Sequence, residues 1–347
     1  MRKLDVLAIA LIGLLQNGPS VRLVAQEPAA VRAKAETPVR SQAEVAKKSE
    51  PPKVVATQGG LTPHFIQWLK ANGHGAQNFE RSDLEGGSYG GKQGEADPVR
   101  HKPIIFIHGN SDRALGTGSI MATGWNASID YFASKGYTSS ELYATTWGLA
   151  DSTYATTQYH SKAYLTRLRA FILAVKAYTG APKVDIVAHS MGVTLARKAI
   201  KGGAGTDPLD GGPYQLGAPL TSIVDTFVGI SGGNWGLVGC EQIGDAVPIC
   251  SSTNGFYPGR AEGPVGLSAI LQDLNSAPHF EGAFVYSIWS KVDELIGGNN
   301  LVWGRSTSRI PGQDGEKTFD AEPYGHVNSK DLTGYHQWRM VQAHATD

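Results

Sequence analysis

Short apolar runs alternate with amphipathic stretches along the chain from about residue 60 onward. The runs have the length and side-chain content of buried strands, and they are Ile104–Ile107, Glu141–Trp147, Val184–Ala188, Ile223–Ile230 and Phe284–Trp289. Other segments place apolar residues at helical spacing, and these are Trp125–Lys135, a stretch with Tyr164, Leu168, Phe171, Ile172 and Val175 on one face, Val193–Ile200 and Leu332–His344. Strands that alternate with helices predict βαβ units, and therefore an α/β fold with a mostly parallel sheet and helices on both faces.

Two long segments, 202–222 and 231–282, interrupt this alternation. We interpret both as loop insertions, and loops of this length in a compact domain usually carry function. No internal repeat is visible. We therefore predict a single folded domain over residues 60–347.

The N-terminus has the pattern of an export signal. Arg2 and Lys3 precede the apolar run Val6–Leu15, which is too short to span a bilayer. We predict a signal peptide over 1–25 and a secreted, periplasmic or extracellular protein with no stable membrane anchor after cleavage. Residues 26–59 are rich in Ala, Pro, Lys and Glu and contain no aromatic residue, which predicts a disordered linker.

Charge and composition narrow the function classes. The 31 Lys and Arg residues balance the 31 Asp and Glu residues, so no basic face for nucleic acid is indicated. Glycine supplies 43 of 347 residues, above the ~7% of average proteins, which favours tight turns over a helical bundle. The only two cysteines, Cys240 and Cys250, are close in sequence and in an exported protein predict one disulfide.

The strand Val184–Ala188 runs into the sequence HSMG at 189–192 and then into a helix. A serine at such a junction is typical of a nucleophile elbow, a sharp turn that exposes the serine Oγ above the sheet. The turn strains the backbone at Ser190, so the residues two positions away must be small, as Ala188 and Gly192 are. The start of the helix directs backbone N–H groups at any oxyanion formed there.

A serine nucleophile needs a second oxyanion donor, usually from the loop after an early strand. The strand Ile104–Ile107 leads into His108 and then Asn110. We predict the backbone N–H groups of Asn110 and Met191 as the oxyanion hole. We interpret His108 as a brace for the loop rather than as a catalytic base.

The acid and the base of a hydrolase with this arrangement follow the serine in chain order, acid first. Asp293 comes just after the strand Phe284–Trp289, and His326 precedes the C-terminal helical run. We predict Asp293 as the acid and His326 as the base. The alternatives for the acid are Glu294, Asp314 and Asp320. The alternatives for the base fit less well, because His279 precedes the acid and His336 falls inside the C-terminal helical run.

No zinc-protease motif, calcium-binding loop or phosphate-binding glycine loop is present in the sequence. We therefore predict no cofactor and no catalytic metal.

Several motifs together resemble those of secreted class 2 lipases, a branch of the α/β-hydrolase fold. They are IIFIHGNSDRALG, VDIVAHSMGVTLARK, KVDELIG and GHV, with the two-cysteine insertion. They are similar to the motifs of small lidless bacterial lipases with an AHSMG box and of extracellular polyhydroxybutyrate depolymerases, over about residues 80–345. The resemblance implies Ser190 as nucleophile, Asp293 as acid and His326 as base. It also implies Asn110 and Met191 as oxyanion donors and a bond between Cys240 and Cys250.

The sequence thus predicts an exported, monomeric serine carboxylester hydrolase that acts on lipid-like esters through an acyl-enzyme. A polyester depolymerase is the first alternative, with an apolar surface formed by Trp235, Phe256, Tyr257 and Trp303, although core or cleft-lining roles are favoured for them. A non-catalytic binding protein on the same scaffold is the second alternative.

Overall fold

The computed structural model describes residues 59–260 and 266–347. The predicted signal peptide and all but the last residue of the predicted linker lie outside these ranges, so both remain predictions. In the part that is described, no helix is at once long and apolar enough to cross a membrane.

Eight strands form one central sheet in the order β1-β2-β4-β3-β5-β8-β9-β12. Neighbouring strands run parallel except for the β2–β4 pair. In chain order the strands are β1 (Gly60–Leu61), β2 (Ser88–Gly90), β3 (Ile104–Ile107), β4 (Leu142–Thr145), β5 (Val184–His189), β6 (Ala204–Asp207), β7 (Gly212–Gln215), β8 (Val224–Ile230), β9 (Phe284–Ser290), β10 (Leu301–Val302), β11 (Arg305–Ser306) and β12 (Gly315–Phe319). The predicted mostly parallel sheet is confirmed.

Helices cover both faces of the sheet, as the alternating pattern predicts. The α-helices of the described residues are α1 (Pro63–Ala71), α2 (Asn126–Ser134), α3 (Lys162–Thr179), α4 (Met191–Lys201), α5 (Cys240–Ile243), α6 (Ala269–Asn275), α7 (Asn328–Asp331) and α8 (Gly334–Ala343). Alternate residues of β3 point to opposite faces: Ile105 and Ile107 join the core under α3 and α4, and Ile104 and Phe106 join the core under α2 and α8. Because both faces are buried, the central strands are continuously apolar.

The observed elements differ from the predicted ones mainly at the insertions. The segment 202–222 is not simply a loop, because β6 and β7 form an antiparallel hairpin within it. The segment 231–282 contains α5 and α6. The predicted helix Leu332–His344 begins at Gly334, after the separate short helix α7, and the predicted strand Glu141–Trp147 is shortened to Leu142–Thr145. The helix after Ser190 begins at Met191 rather than at Val193.

The predicted disulfide is present within the second insertion. Cys240 and Cys250 are bonded and buried, and they join the start of α5 to the 3-10 turn Pro248–Cys250. The bond closes a loop made of three short helical turns, Cys240–Ile243, Gly244–Ala246 and Pro248–Cys250, and it limits the unfolded conformations of that segment.

A buried carboxyl group lies near the amino end of β5. Asp185 is fully buried, its Oδ1 accepts a hydrogen bond from the Thr226 N–H at 2.9 Å, and the Lys102 ammonium lies 3.8 Å away. Burial outweighs the attraction of Lys102 and raises the pKa of Asp185 to about 7. The native protein therefore holds a proton that the unfolded chain releases at much lower pH.

Asp185→Asn is expected to stabilise the protein increasingly as pH rises. A carboxyl group with a raised native pKa lowers the free energy of unfolding of the protein as pH rises from the unfolded pKa to the native pKa. Asparagine does not ionise and so removes this loss, while its Oδ1 can still accept the hydrogen bond from the Thr226 N–H. We expect the difference in the free energy of unfolding to grow by roughly 1–3 kcal/mol between pH 5 and pH 8, measured by urea denaturation.

Asp225→Asn is the matched control at the same end of the sheet. Burial alone would raise the pKa of Asp225, but its ion pairs with Lys102 and Lys183 outweigh burial and hold that pKa below its usual value. Both the unfolded and the native pKa of Asp225 therefore lie below about 5, so Asp225→Asn should be less stable than the wild type by an amount that does not vary between pH 5 and pH 8. A difference between Asp185→Asn and the wild type that does not vary with pH would contradict the assignment.

Candidate active site

A strained turn joins β5 to α4. β5 ends at His189 and α4 begins at Met191, and Ser190 between them has φ 54° and ψ −128°. A non-glycine residue with positive φ is costly and is usually retained where function requires it. The Ser190 N–H donates to the Ile230 carbonyl of β8 at 2.8 Å, which fixes the turn against the neighbouring strand.

The two small residues beside this turn are required by its packing. A Cβ on Gly192 would lie 2.3 Å from the His108 carbonyl oxygen, well inside contact distance. Ala188 is fully buried in β5 and lies in register between Ile107 of β3 and Gly229 of β8. A larger side chain at either position would force these strands and the helix apart.

The loop after β3 lies directly against the serine. A Cβ on Gly109 would be 2.9 Å from the Ser190 Cβ. The Asn110 side chain is fully engaged in holding the loop, because its Nδ2 donates to the Ala155 carbonyl at 2.8 Å and its Oδ1 accepts from Gln158. Its backbone N–H is thus the group available for the role predicted from sequence, which stays a prediction.

Met191 is buried at the first position of α4. An N–H at the first turn of a helix has no acceptor within that helix, and the helix dipole adds positive potential there. The position fits the predicted oxyanion donor, but the role itself remains a prediction.

His108 braces the loop, as the sequence predicts. Its Nδ1 donates to the Gly109 carbonyl at 2.7 Å, its Nε2 accepts from the Trp147 N–H at 3.1 Å, and its ring stacks on the Trp147 ring at 4.9 Å. Burial lowers the pKa of His108 to about 4. With both nitrogens occupied and the ring neutral, His108 is structural.

The predicted acid and base meet in the fold. Asp293 follows β9 and His326 follows β12, and the His326 Nδ1 donates to the Asp293 carboxylate at 2.8 Å to Oδ2 and 3.0 Å to Oδ1. The Ile296 N–H also donates to Asp293 Oδ1 at 2.9 Å. Since Nδ1 carries the hydrogen, Nε2 of His326 is left with a lone pair that can accept a proton.

Asp293 and His326 shift each other's pKa values. Burial by itself would raise the pKa of Asp293, but the charge and hydrogen bond of His326 outweigh it and hold that pKa below its usual value. Burial would likewise lower the pKa of His326, but the charge and hydrogen bond of Asp293, with a further contribution from Glu294, raise it above its usual value. The arrangement therefore stabilises an imidazolium next to a carboxylate.

The alternative acids and bases lie elsewhere or make other contacts. Asp314 pairs with His279 at 2.9 Å and accepts the N–H of Val285, at the opposite end of β9 from Asp293. Asp320 is exposed beyond β12, and His336 lies within α8. The Glu294 carboxylate contacts the backbone of His326 and not its ring: the His326 N–H donates to Glu294 Oε2 at 2.8 Å.

A buried lysine links the histidine loop to the loop after β3, which sequence reasoning missed. Lys330 of α7 is 1% exposed, and its Nζ lies 3.2 Å from Asp112 Oδ2 and 2.8 Å from Thr123 Oγ1. Asp112 in turn accepts the Gly124 N–H at 3.0 Å. A lysine four residues after the predicted base gave no signal of its own, because its partner is distant in sequence.

No group of three or more His, Cys, Asp or Glu side chains is placed to hold a metal ion in residues 59–260 and 266–347.

The sheet order, the single antiparallel neighbour and the serine turn between β5 and α4 define an α/β-hydrolase fold. Residues 101–339, more than half of the chain, match the family model for lipase (class 2). The chain therefore belongs to the class 2 lipase family, whose enzyme class is that of the carboxylic ester hydrolases.

Three solved structures show the range of similar chains. Lipase B of Aspergillus fumigatus is 12% identical with a TM-score of 0.44, and the match covers 74% of this chain but only 57% of that one. A structure described as LipS and LipT, two metagenome-derived lipolytic enzymes, is 13% identical with a TM-score of 0.44 over 74% of this chain and 96% of that one. A membrane phospholipase A described as a bacterial virulence factor is 12% identical with a TM-score of 0.40 over 74% and 81%.

Proposed function

We propose that the protein is a serine carboxylester hydrolase with Ser190 as nucleophile, His326 as general base and Asp293 as its acid partner. The observation that carries the proposal is the buried Asp293–His326 hydrogen bond at 2.8 Å, together with the His326 ring lying 4.7 Å from the ring of His189, the residue that precedes Ser190 in its strained strand-to-helix turn. Family membership supports an ester as the substrate.

In this mechanism His326 Nε2 takes the Ser190 proton while Oγ attacks the ester carbonyl carbon. The N–H groups of Asn110 and Met191 donate to the oxyanion of the tetrahedral intermediate. The imidazolium, stabilised by Asp293, then protonates the leaving alcohol. Water then attacks the acyl-enzyme carbonyl with His326 again as base, and His326 returns that proton to Ser190 Oγ as the C–Oγ bond breaks and the carboxylic acid leaves.

Covalent labelling tests the proposal directly. A fluorophosphonate probe should label Ser190 in the wild type. The same preparation should hydrolyse p-nitrophenyl esters, with a rate that scales with the concentration of labelled sites. Absence of both labelling and hydrolysis in folded protein would favour the alternative of a non-catalytic binding protein.

We propose lipid-like esters as the substrate class, because exposed apolar side chains surround the carboxyl end of the sheet. They lie on segments that follow β3, β4, β8 and β9, and they are Ile120, Met121, Leu149, Tyr154, Val238, Leu301 and Trp303. The segments 116–124 and 296–304 carry no charged residue. Such a surface favours contact with a neutral apolar aggregate over a charged one.

The double variant Ile120→Ser, Trp303→Ser should lower the ratio of triglyceride-emulsion to soluble-ester hydrolysis by roughly tenfold. Burial of one large aliphatic side chain contributes about 1.5–3 kcal/mol, so loss of two weakens adsorption to the emulsion. Leu173→Ser is the control, since Leu173 is also exposed but lies on the middle of α3. An equal fall in the ratio for the control would contradict the proposal.

A polyester remains the alternative substrate. Phe256 and Tyr257 are buried, so of the four aromatic residues considered for a polymer surface only Trp235 and Trp303 retain exposure. Release of soluble hydroxyacid from a polyester film faster than fatty acid from triglyceride would reverse the order of the two substrates.

We further propose that the protein is exported. The bonded cysteine pair supports this, because disulfides persist in oxidising compartments. Recovery of the protein outside the cytoplasm with its N-terminus shortened near residue 25 tests both export and the predicted signal peptide.

A further inference from the structure

Two side chains from different parts of the sheet hold the main chain of His326. The His326 N–H donates to Glu294 Oε2 at 2.8 Å, and the His326 carbonyl accepts from His189 Nε2 at 3.1 Å. Asp293 holds the ring of the same residue. His326 is therefore fixed at its ring and at both polar groups of its backbone.

The tautomer of His189 follows from its partner. A carbonyl oxygen only accepts, so His189 Nε2 must carry the hydrogen. Its Nδ1 is buried and has no hydrogen-bond partner among the residues that the structure describes. Burial, together with nearby positive charge from His326 and Lys330, lowers the pKa of His189 well below its usual value. His189 is thus a neutral, fixed donor, which is unsuited to proton transfer.

His189 also connects the two reacting residues directly. It immediately precedes Ser190, and its backbone is held in β5 in register with Ile230 of β8. Its ring lies 4.7 Å from the ring of His326. His326, by contrast, lies in the segment between β12 and α7 and belongs to no strand. The His189 side chain therefore fixes His326, which lies outside the sheet, relative to the central strand β5.

The contact between the Glu294 carboxylate and the His326 N–H leaves little free space around it. Glu294 follows Asp293, and a Cβ on Gly325, next to His326, would lie 2.5 Å from Glu294 Oε2. A side chain at position 325 would therefore require the Glu294 carboxylate to shift from its present position. Glu294 itself is exposed.

We propose that His189 and Glu294 form a backbone clamp on His326 and act as positioning residues that set the distance between its imidazole and Ser190. The inference deepens the proposed function and rests on it. Misplacement of a catalytic group by about 1 Å can cost on the order of 100-fold in rate, so the clamp should act on kcat rather than on substrate binding.

His189→Gln and His189→Asn form a matched pair that tests the first contact. Both are neutral amides, but glutamine places its NH2 near the position of Nε2 and asparagine only near that of Nδ1. We expect asparagine to lower kcat on soluble p-nitrophenyl butyrate by roughly 10–100-fold with KM within about twofold. Glutamine should restore kcat to within about fivefold of the wild type. Equal kcat in the two variants, or a loss confined to KM, would overturn the clamp.

The pH profile separates positioning from proton transfer. Ionisable groups around His326 are Asp293, Glu294, His189 and Lys330. Because His189 is already neutral, the acidic limb of kcat/KM should stay in place in both His189 variants. A displaced limb would mean that His189 titrates in the reaction, which also overturns the proposal.

Glu294→Gln and Glu294→Ala test the second contact at a more exposed position. Glutamine keeps an acceptor for the His326 N–H, and alanine removes it. Alanine should lower kcat by roughly 5–10-fold, and glutamine less, while glutamine moves the acidic limb to lower pH because the Glu294 charge raises the pKa of His326. Equal kcat for both variants overturns this half of the clamp.

Labelling by a fluorophosphonate distinguishes the two levels of failure. If the wild type is not labelled at Ser190, the proposed function fails and the clamp fails with it. If the wild type is labelled but the two variants within each matched pair have equal kcat, only the clamp is overturned.

Discussion

Alanine at position 190 is expected to lower kcat/KM on soluble esters by on the order of 10⁵-fold or more, because no other group would supply the attacking Oγ. The residual rate should come from oxyanion stabilisation and binding alone. The measurement is p-nitrophenyl butyrate hydrolysis, together with loss of fluorophosphonate labelling.

Ser190→Gly is the matched control for the fold. Both variants lack the hydroxyl group, but glycine also relieves the positive φ of 54° that Ser190 and alanine share. We therefore expect the glycine variant to be equally inactive and about 1–2 kcal/mol more stable than the alanine variant. Substantial ester turnover by either variant with an intact thermal transition would refute Ser190 as the nucleophile.

Asparagine at position 293 is expected to lower kcat by roughly 10³–10⁴-fold, since an amide neither selects the Nδ1–H tautomer nor stabilises the imidazolium. The pH profile should also change. Activity requires neutral His326, so kcat/KM in the wild type should rise with pH through a limb above the usual pKa of histidine. Without the Asp293 charge, burial and Lys330 lower the pKa of His326, and the limb should move to lower pH.

Asp314→Asn is the control for this variant. Asp314 also pairs with a histidine, His279, at 2.9 Å, but at the other end of β9. Its replacement should change kcat by less than about threefold, as expected for a change away from the reacting atoms. If Asp314→Asn reduced activity and Asp293→Asn did not, the acid would be misassigned.

The sequence was most informative where structure is local or continuously apolar. β3, β5 and β8 are buried on both faces, so their composition alone predicts parallel strands. The junction at Ser190 combines a strand, small neighbours and a helix start within a few residues, and it therefore predicts the turn. Chain order then led to Asp293 and His326 as the predicted acid and base, and the structure contains a hydrogen bond between them.

Edge elements and long-range polar contacts were not predictable in the same way. β12, with the sequence GEKTF, is polar and only partly buried at the sheet edge, and the β6–β7 hairpin has little apolar alternation. α1 could have been found, because Thr62 caps it and Pro63 begins it. The contacts of His189 and Glu294 with the main chain of His326 carry no sequence signal, because every residue except proline presents the same backbone groups.

The ion pair between Lys330 and Asp112 has a consequence for engineering. It ties the segment carrying the base to the segment carrying Asn110, and both partners are almost fully buried. Removing Lys330 would cost about 3–5 kcal/mol, because the buried Asp112 carboxylate would lose its cation. A loop 108–124 taken from another hydrolase would therefore have to be grafted together with its own counterpart of residue 330. The two segments must therefore be exchanged together, although more than two hundred residues of sequence separate them.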